Sequence, residues 1–372
     1  MKTQQLHWTA ATGWNATQLA HATPPTFVWV FGGRAALAGD SLRLLAEMAP
    51  RDVIFGCSTA GEIAGDRVFD DTVVATAVWL EKGSARFSCA SVESGDAEAA
   101  GGRLAEGLPK DGLRHIVVVS DGTQVNGTAL VLGVQRTLPR NTTVSGGLAG
   151  DGDAMQNTLV VFGGEVRFGA VAALGIYGDV KVGTGSLGGW DAFGPVRAVT
   201  GSAANVLRSL DGQPALELYK KYLGPHAAQL PSSAMSFPLQ VRLGEEREPV
   251  VRAILAVDES QGTMTFAGDI PEGATAQLMR ANFDRLIDGA AGAADAAIED
   301  FEPQLALLVS CVGRKWILKQ RTEEEVEAVR NVVGADCVMT GFYSYGELAP
   351  TSKGGICHLH NETMAITTFA ED

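Results

Sequence analysis

Three apolar runs stand far apart along the chain: "TFVWVFGG" at 26–33, "HIVVVSDG" at 115–122 and "LALLVSCVG" at 305–313. Each is nearly continuous rather than alternating, which is the pattern of a strand buried on both faces. Behind each run come a stretch long enough for a helix, a second short apolar run and a glycine-rich loop. The loops are "GCSTAGE" from Gly56, "SGGLAGD" from Ser145 and "GFYSYGE" from Gly341, ending in Gly61-Glu62, Gly150-Asp151 and Gly346-Glu347. A turn and a strand opened by a threonine follow, at Thr72, Thr158 and Thr363. The pattern predicts one unit, strand, helix, strand, Gly-acid loop, strand, used three times.

Other segments predict what surrounds the units. "RTEEEVEAVRNVVG" reads as a helix with Thr322 and Glu325 in a capping box, Val326, Val329 and Val333 on one face, and Gly334 as its stop. "DGQPALELYKKYLG" reads as a second, with Pro214 near its first turn, Leu216, Tyr219 and Leu223 on one face, and Gly224 at its end. That helix marks a border between two domains, 25–212 with two copies of the unit and 213–370 with the third. "AAQLPSSAMSFPLQVRL" and "PVVRAILAVDESQGTMTFAGDI" predict an antiparallel meander. "GATAQLMRANFDRLIDGAAGAADAAIEDF" predicts one long helix, or two broken near Gly289 and Gly292, and "GTGSLGG" (183–189) reads as a loop. The expected class is α/β, with mixed sheets flanked by helices.

Composition narrows the functions. With 372 residues, 46% hydrophobic and 19% charged, the chain is long enough for two cores and too apolar for disorder. Its 29 basic against 43 acidic residues, net -14, would repel a phosphate backbone and an anionic membrane surface, so neither is an expected partner. No apolar run approaches the ~20 residues that span a bilayer, and the opening residues lack the apolar core of a signal peptide. The expected location is cytoplasmic. Cys57, Cys89, Cys311, Cys337 and Cys357 form no C-x-x-C pair, which fits reduced thiols there. A metal would find clustered ligands only at Cys357, His358 and His360.

The loops invite three chemistries. A nucleophilic Cys57 needs a base and an orienting group, and the other two loops carry no cysteine in its place. A thiol hydrolase is therefore the weakest reading, beside a small thiol packed under the loop. A phosphate cradle needs the Walker or dinucleotide pattern, and neither occurs. Recognition of a small polar molecule fits better, with glycines letting backbone N–H groups approach a carboxylate and Glu62, Asp151 or Glu347 holding an ammonium or hydroxyl. The plainer alternative is that Gly-acid pairs simply shape turns. Arg314 and Lys315 follow the third long run, as anion contacts or solvated cations, and Tyr343 and Tyr345 alternate, so both phenols are expected on one side. The expected ligand set is Cys57, Ser58, Gly61, Glu62, Gly150, Asp151, Arg314, Tyr343, Tyr345, Gly346 and Glu347. Lys181 reads as an anion contact or an edge-strand lysine.

Several of these segments, "GCSTAGEI", "GGLAGDG", "FGPVRAVTGSAANVLRSLDGQPALELYKKYLG", "SCVGRKWILKQRTEEEVEAVRN", "GFYSYGELAP" and "HNETMAITT", stand in one order across nearly the whole chain. In that order they resemble the FIST proteins, sensory proteins with an N-terminal and a C-terminal FIST domain. The resemblance implies a signal-input module that binds small ligands, amino acids among them. It also implies action beside or fused to histidine kinases, cyclic-di-nucleotide enzymes or chemotaxis receptors, and no catalytic reaction. No output segment is read in this chain, so signalling in trans is expected. Part of the family looks like haem-binding nitric oxide sensors that regulate a histidine kinase. For that alternative His360, in "HNETM", is the candidate iron ligand and His226 the second.

Overall fold

Each long apolar run becomes the central strand of its own sheet. The computed structural model describes residues 1–93, 95–139, 141–242, 244, 248–298, 301–352 and 354–372. Phe27–Gly32, Leu113–Ser120 and Leu305–Cys311 run parallel to Ile54–Ser58, Thr143–Leu148 and Val338–Ser344. On their other side they pair antiparallel with Val73–Trp79, Ala170–Gly178 and Met364–Ala370. A parallel pair needs a helical crossover. The first unit makes it with two short helices, Arg34–Ala38 and Ser41–Leu45. The second uses Gly127–Thr137, where the Asn126 side chain accepts from the Ala129 N–H, and the third uses Val312–Leu318 and Thr322–Val333. Side chains from the inner faces of all three sheets, among them Trp29, Phe55, Val117, Leu174, Val309 and Phe342, meet in one buried core.

One glycine per unit fixes how the units correspond. A Cβ on Gly56, Gly146 or Gly341 would lie 1.7, 1.9 or 1.8 Å from the carbonyl oxygen of Val30, Val118 or Leu308, a space no side chain can occupy. The match corrects the register read from sequence in the second copy. Gly146 rather than Ser145 opens that loop, so Gly152 rather than Asp151 stands opposite Glu62 and Glu347. The return strand opens at Ala170 rather than Thr158, because the backbone bonds Gly33 to Thr72, Asp121 to Ala170 and Cys311 to Thr363 occupy one position in each unit.

After each loop the chain leaves its own sheet. The hairpin Glu62–Ala64/Arg67–Phe69 joins the third sheet, Val160–Phe162/Glu165–Arg167 joins the first, and Gly346–Pro350/Cys357–His360 joins the second. The exchange is cyclic. Ala60 N–H donates to the Tyr343 carbonyl at 2.9 Å, Gly150 to Ser58 at 2.9 Å and Tyr345 to Leu148 at 3.1 Å, three equivalent bonds in a ring about a pseudo-threefold axis. The outer strands follow the same rule, with Gly83–Ser91 on the second sheet, Lys181–Leu187 on the third and Lys2–Thr9 on the first. Lys181 stands on such an edge strand, paired with Asp372.

Four expectations change. The stretch 183–189 is mostly strand rather than loop. Its glycines serve packing, since Cβ atoms on Gly183 and Gly185 would come within 2.1 Å of the Ala297 and Ala293 carbonyls of a covering helix. The long helix expected from Gly273 onward is a strand, Thr275–Arg280, followed by the helix Phe283–Ala297, which passes Gly289 and Gly292 unbroken because Gly289 packs on the Gly188 carbonyl. Near its expected end at Phe301, Glu299 and Asp300 lie outside the described residues. The meander begins later than expected: 224–236 holds two 3-10 turns, and the first strand is Leu239–Arg242, with Leu243 also outside the description. Finally, no capping box opens Thr322–Val333, where Thr322 Oγ1 donates to the Lys319 carbonyl at 2.6 Å and Glu325 is spent elsewhere.

Residues 191–280 form a separate β body inserted between the second and third units. Among the described residues its eight strands and the helix Ala215–Leu223 close over their own core, with Leu207, Tyr219, Met264 and Phe266 at its centre. Among the described residues no helix is long and apolar enough to cross a membrane.

Candidate functional site

The acids of the first and third loops perform one local task. Glu62 accepts from Thr59 Oγ1 at 2.5 Å and from the Thr72 amide and hydroxyl at 3.1 and 2.8 Å. Glu347 accepts from Ser344 Oγ at 2.7 Å and from the Thr363 amide and hydroxyl at 3.2 and 2.9 Å. Both are wholly buried and tie their loop to the start of the return strand. Burial drives their carboxyls up, Glu62 to about 7 and Glu347 to about 8, against the lowering effect of these hydrogen bonds. Asp151 differs. Burial pulls its carboxyl up, but the Asn157 amide, the Tyr345 phenol and the Gln156 amide together hold it below its ordinary value.

The remaining expected residues are mostly structural. Cys57 is fully buried and burial raises its thiol well above the ordinary range, so it presents no thiolate. Ser58 Oγ bridges the Gly150 carbonyl and the Leu159 amide, joining the first unit to the second. Gly61, at φ +139°, leaves room for Lys315, whose Nζ would lie 2.5 Å from an added Cβ. Tyr343 and Tyr345 do not face one way, because the chain breaks between them. Tyr343 reaches Glu325 at 2.7 Å, while Tyr345 binds Asp151 and the Gly152 carbonyl of the second unit. Gly346 packs against Leu148 and Leu359.

Arg314 and Lys315 are neither solvated nor open to an anion. Arg314 is fully buried, with Nε and a terminal nitrogen on Glu325 at 2.9 and 2.8 Å and further donors on the Gly188 and Leu286 carbonyls, the latter at 2.6 Å. Lys315 donates to the Ala60 carbonyl at 2.9 Å, pairs with Asp70 and lies over the Tyr343 ring.

What the sequence reading missed lies beside these groups. A chamber of about 250 Å³ opens between the third unit and the inserted body, walled by Cys311, Val312 and Trp316 below and by Met235, Ile254 and Leu255 above. Asn361 and Glu362 line it, both 0% exposed. Asn361 Oδ1 and both carboxylate oxygens of Glu362 have no hydrogen-bond partner among the described residues, a state that buried polar groups rarely tolerate. Glu362 also holds φ at +62°, which disfavours any residue with a side chain. Its carbonyl accepts from the Trp190 indole at 2.7 Å, and the next residue, Thr363, is pinned by Glu347. Burial, with Glu347 nearby, raises the Glu362 carboxyl to about 8, opposed by Arg314. "HNETM" carries the only sequence signal for these residues, and nothing in it distinguishes the acid from an exposed turn residue.

The equivalent positions in the other units are filled differently. In the first, Gly33, Ala60, Glu62, Asp70 and Asp71 line an open polar hollow of about 250 Å³ shared with Asp151. In the second, Asp121 fills the space and is satisfied by Thr123, Gln124, Thr158 and Gly169.

A groove of about 650 Å³ follows the same seam on the other side, lined by His358, Cys357, Arg252 and Asp269. His360 does not enter it. Its ring is buried, Nε2 sits 3.0 Å from the Ala349 carbonyl oxygen, and burial lowers it to about 4. As arranged, His360 does not fit an axial haem ligand, and His226 lies on an exposed 3-10 turn against Phe237.

The fold is a pseudo-threefold α/β ring that carries an inserted β body, with the chamber at their junction. The chain belongs to the FIST family: the FIST N domain matches residues 26–213 and the FIST C domain residues 215–350. FIST domains are associated with sensory signal transduction. No curated protein matches the chain. Among solved structures, a cyanuric acid hydrolase from A. caulinodans covers 100% of this chain and 98% of its own at 11% identity and a TM-score of 0.33. A second cyanuric acid hydrolase structure, described as an innovation by structural concatenation, covers 100% and 99% at 9% identity and a TM-score of 0.31. Likeness at that level carries no argument about activity.

Proposed function

We propose that this FIST protein is a non-catalytic sensory module that binds a small ligand in the chamber between its third unit and its inserted β body. The observation that carries the reading is the unpartnered Glu362 carboxylate, held on a strained backbone against an apolar cavity. A buried acid with no partner costs stability, and a ligand that supplies the donors recovers it. The chamber walls come from two bodies, so a ligand that prefers one arrangement of them shifts the population toward it. A partner in trans, of the histidine kinase, cyclic-di-nucleotide enzyme or chemotaxis receptor class, would read that shift.

The reading departs from a site built on the Gly-acid loops, since Glu62 and Glu347 are occupied in holding their own loops and only Tyr345 of that expected set reaches the chamber. The buried Cys57 supports the non-catalytic assignment. The test is a thermal-shift screen of small metabolites against the wild type and against Ala267→Phe, which fills the chamber from the insert side. Ligands whose stabilisation disappears in Ala267→Phe support the site. If every stabilising ligand stabilises both equally, binding lies elsewhere and the site is refuted. An absorption spectrum of protein expressed with haem precursor tests the haem alternative, for which a gas-responsive Soret band is the required result.

A further inference from the structure

Resting on the chamber reading, we infer that the chamber takes a compact organic amine, a primary ammonium on an apolar body, and rejects α-amino acids. The polar atoms left without partners are the two carboxyl oxygens of Glu362 and the amide oxygen of Asn361. With Glu362 ionised all three are acceptors, and because its carboxyl rests near 8, an ammonium that binds there favours the carboxylate and releases its proton to solvent. A primary ammonium carries three donors and no acceptor, which matches that count and sign. Among the described residues no Lys, Arg or His lines the chamber. The nearest cations are committed elsewhere, Arg314 to Glu325 and two carbonyls, Lys315 to Ala60 and Asp70. An α-carboxylate would thus enter a space that holds an acid and offers it no counter-charge.

The rest of the wall suits a hydrocarbon body. Trp316 presents an aromatic ring, Met155 and Met235 adapt their shape to an irregular ligand, and Ile254 and Val312 complete an apolar lining. A volume of about 250 Å³ corresponds to about eight water molecules at ~30 Å³ each, and therefore to a ligand of similar heavy-atom count. The other units provide an internal comparison. Glu62 and Glu347, at the loop ends, and Asp121, at the end of the second unit's first strand, are also buried acids, and each is fully engaged by hydroxyls and amides of the protein. Only the acid facing the chamber is left without donors among the described residues.

The experiment uses the full chain, with tryptophan fluorescence and calorimetric titration just above the Glu362 value of about 8, where the acid is ionised and the amines remain ammonium. The probes are phenethylamine and isoamylamine, the amino acids phenylalanine and leucine, and the neutral phenethyl alcohol. The expected result is saturable amine binding, with the amino acids and the alcohol weaker by at least about tenfold and Glu362→Gln weaker for amines by roughly 10- to 100-fold, the worth of a charge-assisted hydrogen bond. Should Glu362→Gln fail to fold, loss of amine binding in Ala267→Phe carries the same test. Amino acids or the alcohol binding as tightly as the amines, or Glu362→Gln binding amines like the wild type, overturns the amine assignment and leaves the chamber as a site. Absence of amine binding overturns it as well, and the chamber itself falls only if Ala267→Phe abolishes no ligand in the wider screen.

Discussion

Arg314→Met removes the guanidinium at the centre of the third unit while keeping much of its volume. In the wild type all three of its nitrogens are engaged, on Glu325 and on the Gly188 and Leu286 carbonyls, with no solvent exposure at either Arg314 or Glu325. The substitution leaves the Glu325 carboxylate buried with only Ser310 and Tyr343 as donors. Breaking a buried pair from one side costs about 3–5 kcal/mol. For cooperative unfolding of 372 residues at about 2.1 cal/mol/K per residue, the unfolding entropy is about 0.8 kcal/mol/K and the expected drop in Tm about 4–6 °C. Scanning calorimetry measures it, and Arg314→Met/Glu325→Gln should recover part of the loss by removing the stranded charge. An Arg314→Met protein melting within about 1 °C of the wild type would refute the structural role argued here and return Arg314 to the set of ligand-binding candidates.

Gly341→Ala should destabilise by at least about 2–3 kcal/mol, because its Cβ would fall 1.8 Å from the rigid Leu308 carbonyl oxygen. Gly102→Ala, with nothing nearer than 3.9 Å in a helix, should be neutral or mildly stabilising by urea denaturation. Glu62, Glu347 and Glu362 titrate near 7, 8 and 8 in the folded chain, above the ordinary 4.5. The native state therefore binds more protons than the unfolded chain across that window, and stability falls as pH rises from about 4.5 to 8, by up to about 1.4 kcal/mol per pH unit for each acid. Groups that face Glu362 set its share: Glu347 raises it and Arg314 opposes. Melting curves of Glu362→Gln should show a shallower pH dependence than the wild type, and an unchanged slope would count against the buried acid. Thiol labelling of the native protein should modify Cys89 first, since Cys57, Cys311, Cys337 and Cys357 are buried.

The fold was legible where local pattern and tertiary role coincide. "TFVWVFGG", "HIVVVSDG" and "LALLVSCVG" look buried on both faces because the inner core and the outer helices cover them. The second copy slipped by one residue because its acid is displaced. Asp121, at the end of the first strand, performs the tying that Glu62 and Glu347 perform from the loop, so the eye aligns Asp151 with the wrong partner. "GATAQLMR" has helical periodicity, yet it pairs on both sides, with Asp191–Ala203 and Leu239–Arg242, and tertiary pairing overrides propensity. The chamber was not legible because its polar residues come from one turn and its apolar wall from two separate places, Val312 and Trp316 of the third unit and Met235, Ile254 and Leu255 of the insertion.

The architecture also says which part of the molecule can move when the chamber fills. The three units are interlocked by exchanged hairpins and by the ring of bonds from Ala60, Gly150 and Tyr345, so shifting one against another breaks strand pairing in two sheets at once. Among the described residues the inserted body shares no strand pairing with the three sheets of the ring. It meets the ring along a seam that holds both the chamber, about 250 Å³, and the groove, about 650 Å³. Polar ties across the seam include Arg252 to the Leu359 carbonyl at 2.8 Å and Asn126 to Asp269 at 3.1 Å. Apolar packing of Met279 and Val251 against Leu286, Ile317 and Leu318 also crosses it, and the stretch around the two voids is where this seam yields first. Amide exchange should therefore slow on amine binding in the insert segments 231–236 and 253–267 and around 359–363, with the central strands of the three sheets unchanged. Protection spread evenly through the ring would mean that the units move together, and the insert would then be a lid without a part in transmission.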